Sequence, residues 1–417
     1  MADDIDVGGY EIKSCVIRSY DETKQNDIAS IVAMFRISEG IGQQAMTGSM
    51  LIGDTMGFID EFPLLGEESV EIKIRDFYDD EHIYKFRIYA VESLDTDFKG
   101  QVQGYILKLH SPDFLKSEIT DVMKSYRGPI STHVQDVFDE YFTETDKELE
   151  LENPTNSKTF VIPGMSPYAT MNFFVRKAYN DENPSSNYRF FETKEKYVFK
   201  TIEKLIEDGK EKANEEKNTF TYQDMNVEFA DRNKHMQNVI EFKLAKRFDA
   251  VGEIRSGAQI SETISLDLAT KTYNTTIYKH NDEVESYQHV DDKIADYHTD
   301  KYIEENFSEE NVIKTFVMFN DSSDQDDTFY EDITARRISN NYYLNSIRMM
   351  AKVYGRNKLN PGDMISFTLP EVKYNKSDAG EHKTLSGYWF VETITHTLQD
   401  KQWRMDVTLL KDALRGE

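Results

Sequence analysis

Apolar and polar positions alternate most cleanly at the two ends of the chain. Val70-Glu71-Ile72-Lys73-Ile74-Arg75 alternates without a break, the period-2 mark of a half-buried strand. Similar runs at 10–20 (YEIKSCVIRSY), 30–37 (SIVAMFRI), 47–53 (TGSMLIG), 83–92 (IYKFRIYAVE) and 103–110 (QGYILKLH) bring the expected strands to about six by residue 110. At the other end, Arg348–Tyr354 reads as a strand that stops at Gly355. The connection 357–363 (NKLNPGD) is dense in turn residues, with Pro361 pre-setting φ and Gly362 free to take φ > 0. Met364–Leu369 then places Ile365, Phe367 and Leu369 on one side, and strand-like runs follow at 386–397 (SGYWFVETITHT) and 402–410 (QWRMDVTLL). Strands in series with short turns make an antiparallel meander, whose closed form is a small barrel or sandwich.

Between the ends the period changes. Phe114, Ile119, Val122, Met123 and Tyr126 recur mostly at three- and four-residue steps, which predicts a helix broken at Gly128-Pro129. Ser131 is placed to cap a second helix with the stripe Val134, Val137, Phe138, Tyr141 and Phe142. Thr159–Ile162 reads as a short strand, and Ser166-Pro167 opens a helix through Met171 and Phe174. Tyr188–Phe191 and Tyr197–Phe199 read as a hairpin about a polar turn. The charged stretch 202–218 reads as a solvated helix end and linker, and Met236–Lys246 fits helix or strand. Ile254–Ala258, Ile264–Leu268 and Lys271–Lys279 read as strands of a second barrel, with Gly252 and Gly257 as turns. His280–Asn311 holds eleven Asp and Glu against two Lys, a solvated polar insertion, and 329–347 reads as a helix.

The ends also carry a resemblance. The strings VYGRNKLNPGDMISF, LSGYWFVETITH and WRMDVTLLKD, with Leu359, Gly362, Asp363, Gly387, Tyr388, Val391, His396, Lys411 and Asp412 at the characteristic places, resemble the closing barrel of the baseplate hub proteins of contractile-tailed phages. Type VI secretion spike proteins share that barrel. One departure is that Gly387 directly abuts Tyr388 and the run to Val391 is a residue longer than the family pattern. Near the start, Gly48, Met50, Ile52, Asp54, Gly66, Glu67, Val70 and Ile72 are similar to the first barrel of the same family. The resemblance implies a mainly β fold with an α+β insertion. It comprises two tail-tube-like antiparallel β-barrels, a small α/β domain and a helical, acidic insertion. The expected division is a first barrel at 1–112, linker helices and the small domain at 113–222, a discontinuous second barrel at 223–279 and 346–417, and the insertion at 280–345. Gly66, Glu67, Gly355, Pro361, Gly362, Asp363 and Gly387 are the turn residues that match.

Composition narrows the function. At 417 residues and 39% apolar content the chain can build several cores. Its net charge of −27, from 49 Lys and Arg against 76 Asp and Glu, argues against a nucleic-acid-gripping surface and suits one that DNA slides past. The single cysteine, Cys15, excludes an internal disulfide and fits a reducing cytoplasm. No apolar run approaches a membrane span, and the acidic start (MADDIDVGG) lacks a signal-peptide core, so neither membrane insertion nor secretion is expected. No phosphate loop, nucleophile elbow or His-Glu-x-x-His occurs. His289 and His298 lie nine apart in acidic sequence, and a lone His396 on a strand reads as a packed side chain rather than a ligand. The expectation is therefore no enzyme, no cofactor and no metal.

The resemblance further implies a structural virion protein. It would be a homotrimeric hub in the phage tail baseplate, assembled in the host cytoplasm, joining a sixfold tail tube to a threefold central spike. Its partners would be the tail tube protein, the spike and neighbouring baseplate proteins, with DNA passing the lumen without specific binding. Because the sequence ends just after the closing strand, the spike is expected to be a separate chain. The alternatives are the hub portion of a non-contractile phage's tail-tip protein, or a soluble β-barrel enzyme or binding module.

Overall fold

The structure is a computed structural model that describes residues 5–62, 64–96, 102–223, 231–268, 270–294, 314–320, 329–371 and 380–415. The first half supplies seven strands: β1 (Glu11–Arg18), β2 (Gln25–Asp27), β3 (Val32–Gly40), β4 (Thr47–Asp54), β5 (Ser69–Arg75), β6 (Glu81–Thr96) and β7 (Gln103–His110). The middle adds β8 (Val122–Pro129), β9 (Leu149–Leu151), β10 (Ser157–Met165), β11 (Tyr188–Glu192) and β12 (Tyr197–Thr201). Beyond it lie β13 (Thr219–Thr221), β14 (Val239–Lys246), β15 (Ile260–Asp267), β16 (Thr272–Lys279), β17 (Lys293–Ile294) and β18 (Thr315–Asn320). The closing meander is β19 (Ile347–Tyr354), β20 (Met364–Thr368), β21 (Gly387–Gln399), β22 (Gln402–Lys411) and β23 (Ala413–Leu414).

Both ends of the chain enter one sheet. Its order is β14-β19-β22-β21-β3-β4-β7-β6-β5-β1-β2, with β20 beside β21 and β13 beside β20. The two halves meet where β21 pairs antiparallel with β3, in a ladder from Thr393 opposite Gly40 to Gln399 opposite Met34. Alternation explains the shared core. Phe35 and Ile37 of β3, Ile394 and Leu398 of β21, and Trp403 and Met405 of β22 all point to one side and are buried in a single apolar cluster. β6 is long enough to pair β5 along its first part and β7 along its second, with register shifts that bend the sheet.

The middle segment departs from the pattern reading in three places. Residues 113–126 form a helix only over Pro112–Glu118, after which Val122–Pro129 is β8, paired antiparallel with β10. Val122 and Tyr126 are four apart, a step that keeps one face in a helix and, being even, one face in a strand as well. Tyr126 opposite Phe160 decides it for the strand. The second helix begins at Ile130, and Ser131 does not cap it. The charged stretch after β12 is a packed amphipathic helix, Ile202–Lys212, burying Ile202, Leu205 and Ile206 rather than lying in solvent. The helix Pro167–Lys177 and the β11–β12 hairpin form as expected, the Ser166 hydroxyl accepting from the Ala169 N–H.

Further on, Met236 closes a short helix, Arg232–Met236, and Val239–Lys246 forms β14 on the edge of the large sheet. Ile254–Ala258 is not a strand: Ala250–Ser256 is a helix, capped by the Asp249 carboxylate at the Gly252 N–H (2.9 Å) and ended by Gly257 at φ 77°. β15 and β16 do form a hairpin, but they join β18 in a separate three-stranded sheet instead of extending the large one. Helix Phe329–Leu344 packs on that sheet and leads into β19. Much of the acidic insertion, residues 295–313 and 321–328 including His298, lies outside the described residues.

Candidate functional site

The seam between the halves holds a buried polar cluster. On β3, Phe35 and Ile37 face the core, so the same period places Glu39 inward, where it is 1% exposed. His396 of β21, fully buried, donates from Nε2 to the Glu39 carboxylate (3.0 Å). Its Nδ1 accepts from the indole N–H of Trp403 (3.2 Å), which fixes the tautomer with the proton on Nε2. Lys194, at the turn of the β11–β12 hairpin, completes the cluster. Its backbone N–H donates to Glu39 (3.2 Å), its ammonium stands 3.8 Å from the same carboxylate, and that ammonium donates to the Leu359 carbonyl (2.6 Å). Burial alone would raise Glu39, but Lys194 and the His396 bond outweigh it and hold the carboxyl below its ordinary range. Burial, assisted by Lys194, lowers His396.

A second buried carboxylate ties the same hairpin to the first half. Glu192 accepts from Lys147 (2.6 Å), from the Ser111 hydroxyl (2.8 Å) and from the Met46 N–H (3.0 Å). The middle segment is therefore plugged into the sheet by charged side chains at its hairpin turn. Arg356 does similar work after β19: fully buried, it donates to the Met236 carbonyl (2.8 Å) and to the Lys217 carbonyl and lies over the Phe220 ring.

The sequence-matched turn residues of the second half border these joints or make further ones. Gly355 lies under Trp403, where a Cβ would come within 2.0 Å of the indole, and its N–H donates to the Trp403 carbonyl. Gly362, at φ 87°, donates to the Val391 carbonyl (2.8 Å) beside buried Pro361. Asp363 accepts from the Asn360 N–H (2.8 Å), and burial pushes its carboxyl up to about 6. Gly387, at φ 116°, leaves room for Asp291, whose carboxylate takes the Lys411 ammonium (2.8 Å) and the Tyr388 N–H (3.1 Å). Asp412 accepts from His289 (2.9 Å) and from the Val290 N–H (2.9 Å). Gly387, Lys411 and Asp412 thus anchor the start of the insertion to the closing strands. In the first half, Gly66 takes φ 96°. The carboxylate that closes that turn is not the exposed Glu67 but buried Glu68, accepting from Gly66 (3.1 Å) and Leu65 (2.5 Å).

Glu39, Lys194, Glu192 and Arg356 were not singled out in the sequence. Glu39 had a signal, a lone charge in the inward register of an alternating strand; Lys194 and Arg356 sit in turns with no such register. None of these groups forms a reactive pair, because Trp403 occupies the nitrogen His396 would need as a base. Among the described residues no three His, Cys, Asp or Glu side chains are placed to hold a metal.

The joints titrate in opposite senses. His82, lowered to about 4 by burial and by the nearby Lys194 and Lys147, stays neutral in the fold while an unfolded histidine gains a proton below about 6.5. Stability carried by His82 and His396 is therefore present above that pH and lost as pH falls through it. Asp363, raised to about 6, does the reverse: the fold takes up its proton first and gains as pH falls from 6 toward 4. Urea unfolding at pH 7 and pH 5 should show the acid loss shrinking in His82→Gln and growing in Asp363→Asn.

No family model matches the sequence, and no curated protein does. Among the solved structures that share its architecture at low identity are two tail proteins. The tail protein from Neisseria meningitidis MC58 is 11% identical, with a TM-score of 0.56 over 97% of each chain. The 43 kDa tail protein of prophage MuSo2 from Shewanella oneidensis is 7% identical, with a TM-score of 0.53 over 96% of this chain and 98% of its own. The chain shares the fold of these two tail proteins over nearly its whole length.

Proposed function

We propose that the chain is a structural virion protein, a homotrimeric tail hub that joins a sixfold tail tube to a threefold central spike and surrounds the DNA path. The observation that supports this most is the β3–β21 ladder, which sets two β-rich halves side by side in one sheet. Three such chains offer six β-rich halves around a closed ring, matching a sixfold tube on one side while keeping threefold symmetry on the other. The hub resemblance at both ends of the sequence and the fold shared with tail proteins point the same way. In this reading the buried charged joints are structural, holding the hairpin and the insertion in fixed places on the sheet.

Light scattering of the purified chain over a concentration range, alone and with a candidate spike protein, tests the assembly. The expected mass is three times 48.5 kDa, or a three-to-three complex with the spike. A strict monomer or dimer indifferent to the spike would overturn it.

A further inference from the structure

The face of the large sheet turned away from its core carries a charge pattern at odds with the whole chain. Successive ladder partners place Lys108 opposite Ser49, Ser49 opposite Arg36, Arg36 opposite Thr397, and Thr397 opposite Arg404. These five residues form one row across β7, β4, β3, β21 and β22, perpendicular to the strands and crossing the seam. All five sit at positions between inward-facing core residues such as Phe35, Met50, Leu107 and Trp403, so they share the outward face. Arg36 and Arg404 are exposed. Among the described residues neither has a carboxylate within ion-pair distance, whereas Lys108 is paired with Glu92 at 3.2 Å.

Cation, hydroxyl, cation, hydroxyl, cation is the order along the row. Neighbouring strands lie about 4.8 Å apart, so the cations repeat at roughly 10 Å along a row that spans about 20 Å across the sheet. A linear polyanion fits such a row. Phosphate oxygens accept from guanidinium, ammonium and hydroxyl donors alike, and a DNA duplex presents one charge per about 1.7 Å of axis, so no fixed register is needed. We infer that this row is a contact line for the phosphate backbone of double-stranded DNA. The inference rests on the channel reading above, and it assigns the DNA-facing surface to this side of the sheet. The contact is sequence-independent, since no base edge is read, and weak, since the net charge of −27 opposes it.

The test is fluorescence anisotropy of a labelled short DNA duplex with the full-length protein, starting near about 20 mM salt and titrating upward. Wild type should bind with an affinity that falls as salt rises. Arg36→Gln/Arg404→Gln should reduce the slope of log affinity against log salt by about 2. Lys204→Gln, which changes a cation on the helix Ile202–Lys212, should leave the slope unchanged. Melting curves of the same samples establish that the exposed substitutions leave the fold intact. Absence of binding at the lowest salt, or equal slopes in wild type and the double variant, overturns the inference and leaves the row to an acidic protein partner. Light scattering on the same samples separates this from the hub reading: a trimer without the salt-dependent term sinks only the contact line, and the term without a trimer sinks only the hub.

Discussion

Lys194→Met should lower folding stability by about 3–5 kcal/mol, the range for removing one partner of a buried ion pair. The cost comes less from the lost attraction than from what remains. Glu39 stays fully enclosed with only His396 and a backbone N–H as partners, and the Leu359 carbonyl loses its donor. The identity of the mechanism is testable by its partner. In Lys194→Met/Glu39→Gln the buried charge is gone, so the double variant should be markedly more stable than Lys194→Met alone. Two independent losses would simply add. Lowering the pH should also rescue the single variant, because protonating Glu39 removes the unpaired charge, whereas wild type gains nothing from that step. Urea unfolding of wild type, Lys194→Met, Glu39→Gln and the double variant at pH 7.5 and pH 5.5 decides it. An additive cycle with no pH-dependent rescue would show that Lys194 acts only as a packing group.

The second large effect is expected at Gly355. An alanine there puts its Cβ 2.0 Å from Cγ and 2.2 Å from Cδ1 of Trp403, distances no side-chain contact tolerates. Trp403 cannot yield cheaply, being fully buried among core residues and bound through its indole N–H to His396. Overpacking a core costs about 1–3 kcal/mol and sometimes more, and Gly355→Ala should lie at the upper end because the displaced ring also breaks the His396 bond. Gly355→Val should be worse. The specific signature is a red shift in tryptophan emission, at denaturant concentrations below the main transition, as the indole is pushed toward water. An alanine variant with wild-type stability and emission would mean that the β19 end shifts freely, and the close approach would lose its meaning.

The strands at both ends were legible because they carry faces of Ile, Val, Phe and Met at period two, and several stop at or shortly before a glycine or proline, as β3 does at Gly40, β19 before Gly355 and β20 before Pro370. The turn residues of the closing meander were legible for the same reason, and Gly355, Gly362 and Gly387 each sit where a side chain or a negative φ would not fit. Three things were hidden. Spacings of four residues, as between Val122 and Tyr126, satisfy helix and strand alike, so the partner strand at Phe160 had to decide. The helix Ala250–Ser256 depends on a cap at Asp249 and an αL glycine at Gly257, whereas its short apolar content suggested a strand. And the pairing of β15 with β18 rather than with β14 is a choice between equally plausible edges, which no local pattern expresses. For the site, Glu39 was readable in principle from its register, but Lys194 and Arg356 become meaningful only when distant segments close around them. Composition misled in one respect: the excess of acid over the whole chain says nothing about the outward face of the sheet, where Arg36 and Arg404 lie in one row.

The ladder that joins β3 to β21 pairs residues about 350 positions apart in the chain. During synthesis the N-terminal half therefore emerges with an open edge whose partner has not yet been made. Until β21 is released, β3 presents unpaired amides and carbonyls together with Phe35 and Ile37, the kind of edge that captures other chains. Such distant contacts also fold slowly, because the loop must close before the pairing rewards it. Truncated or stalled products should accordingly aggregate, and nascent chains in the cell should be clients of holding chaperones until the last strands arrive.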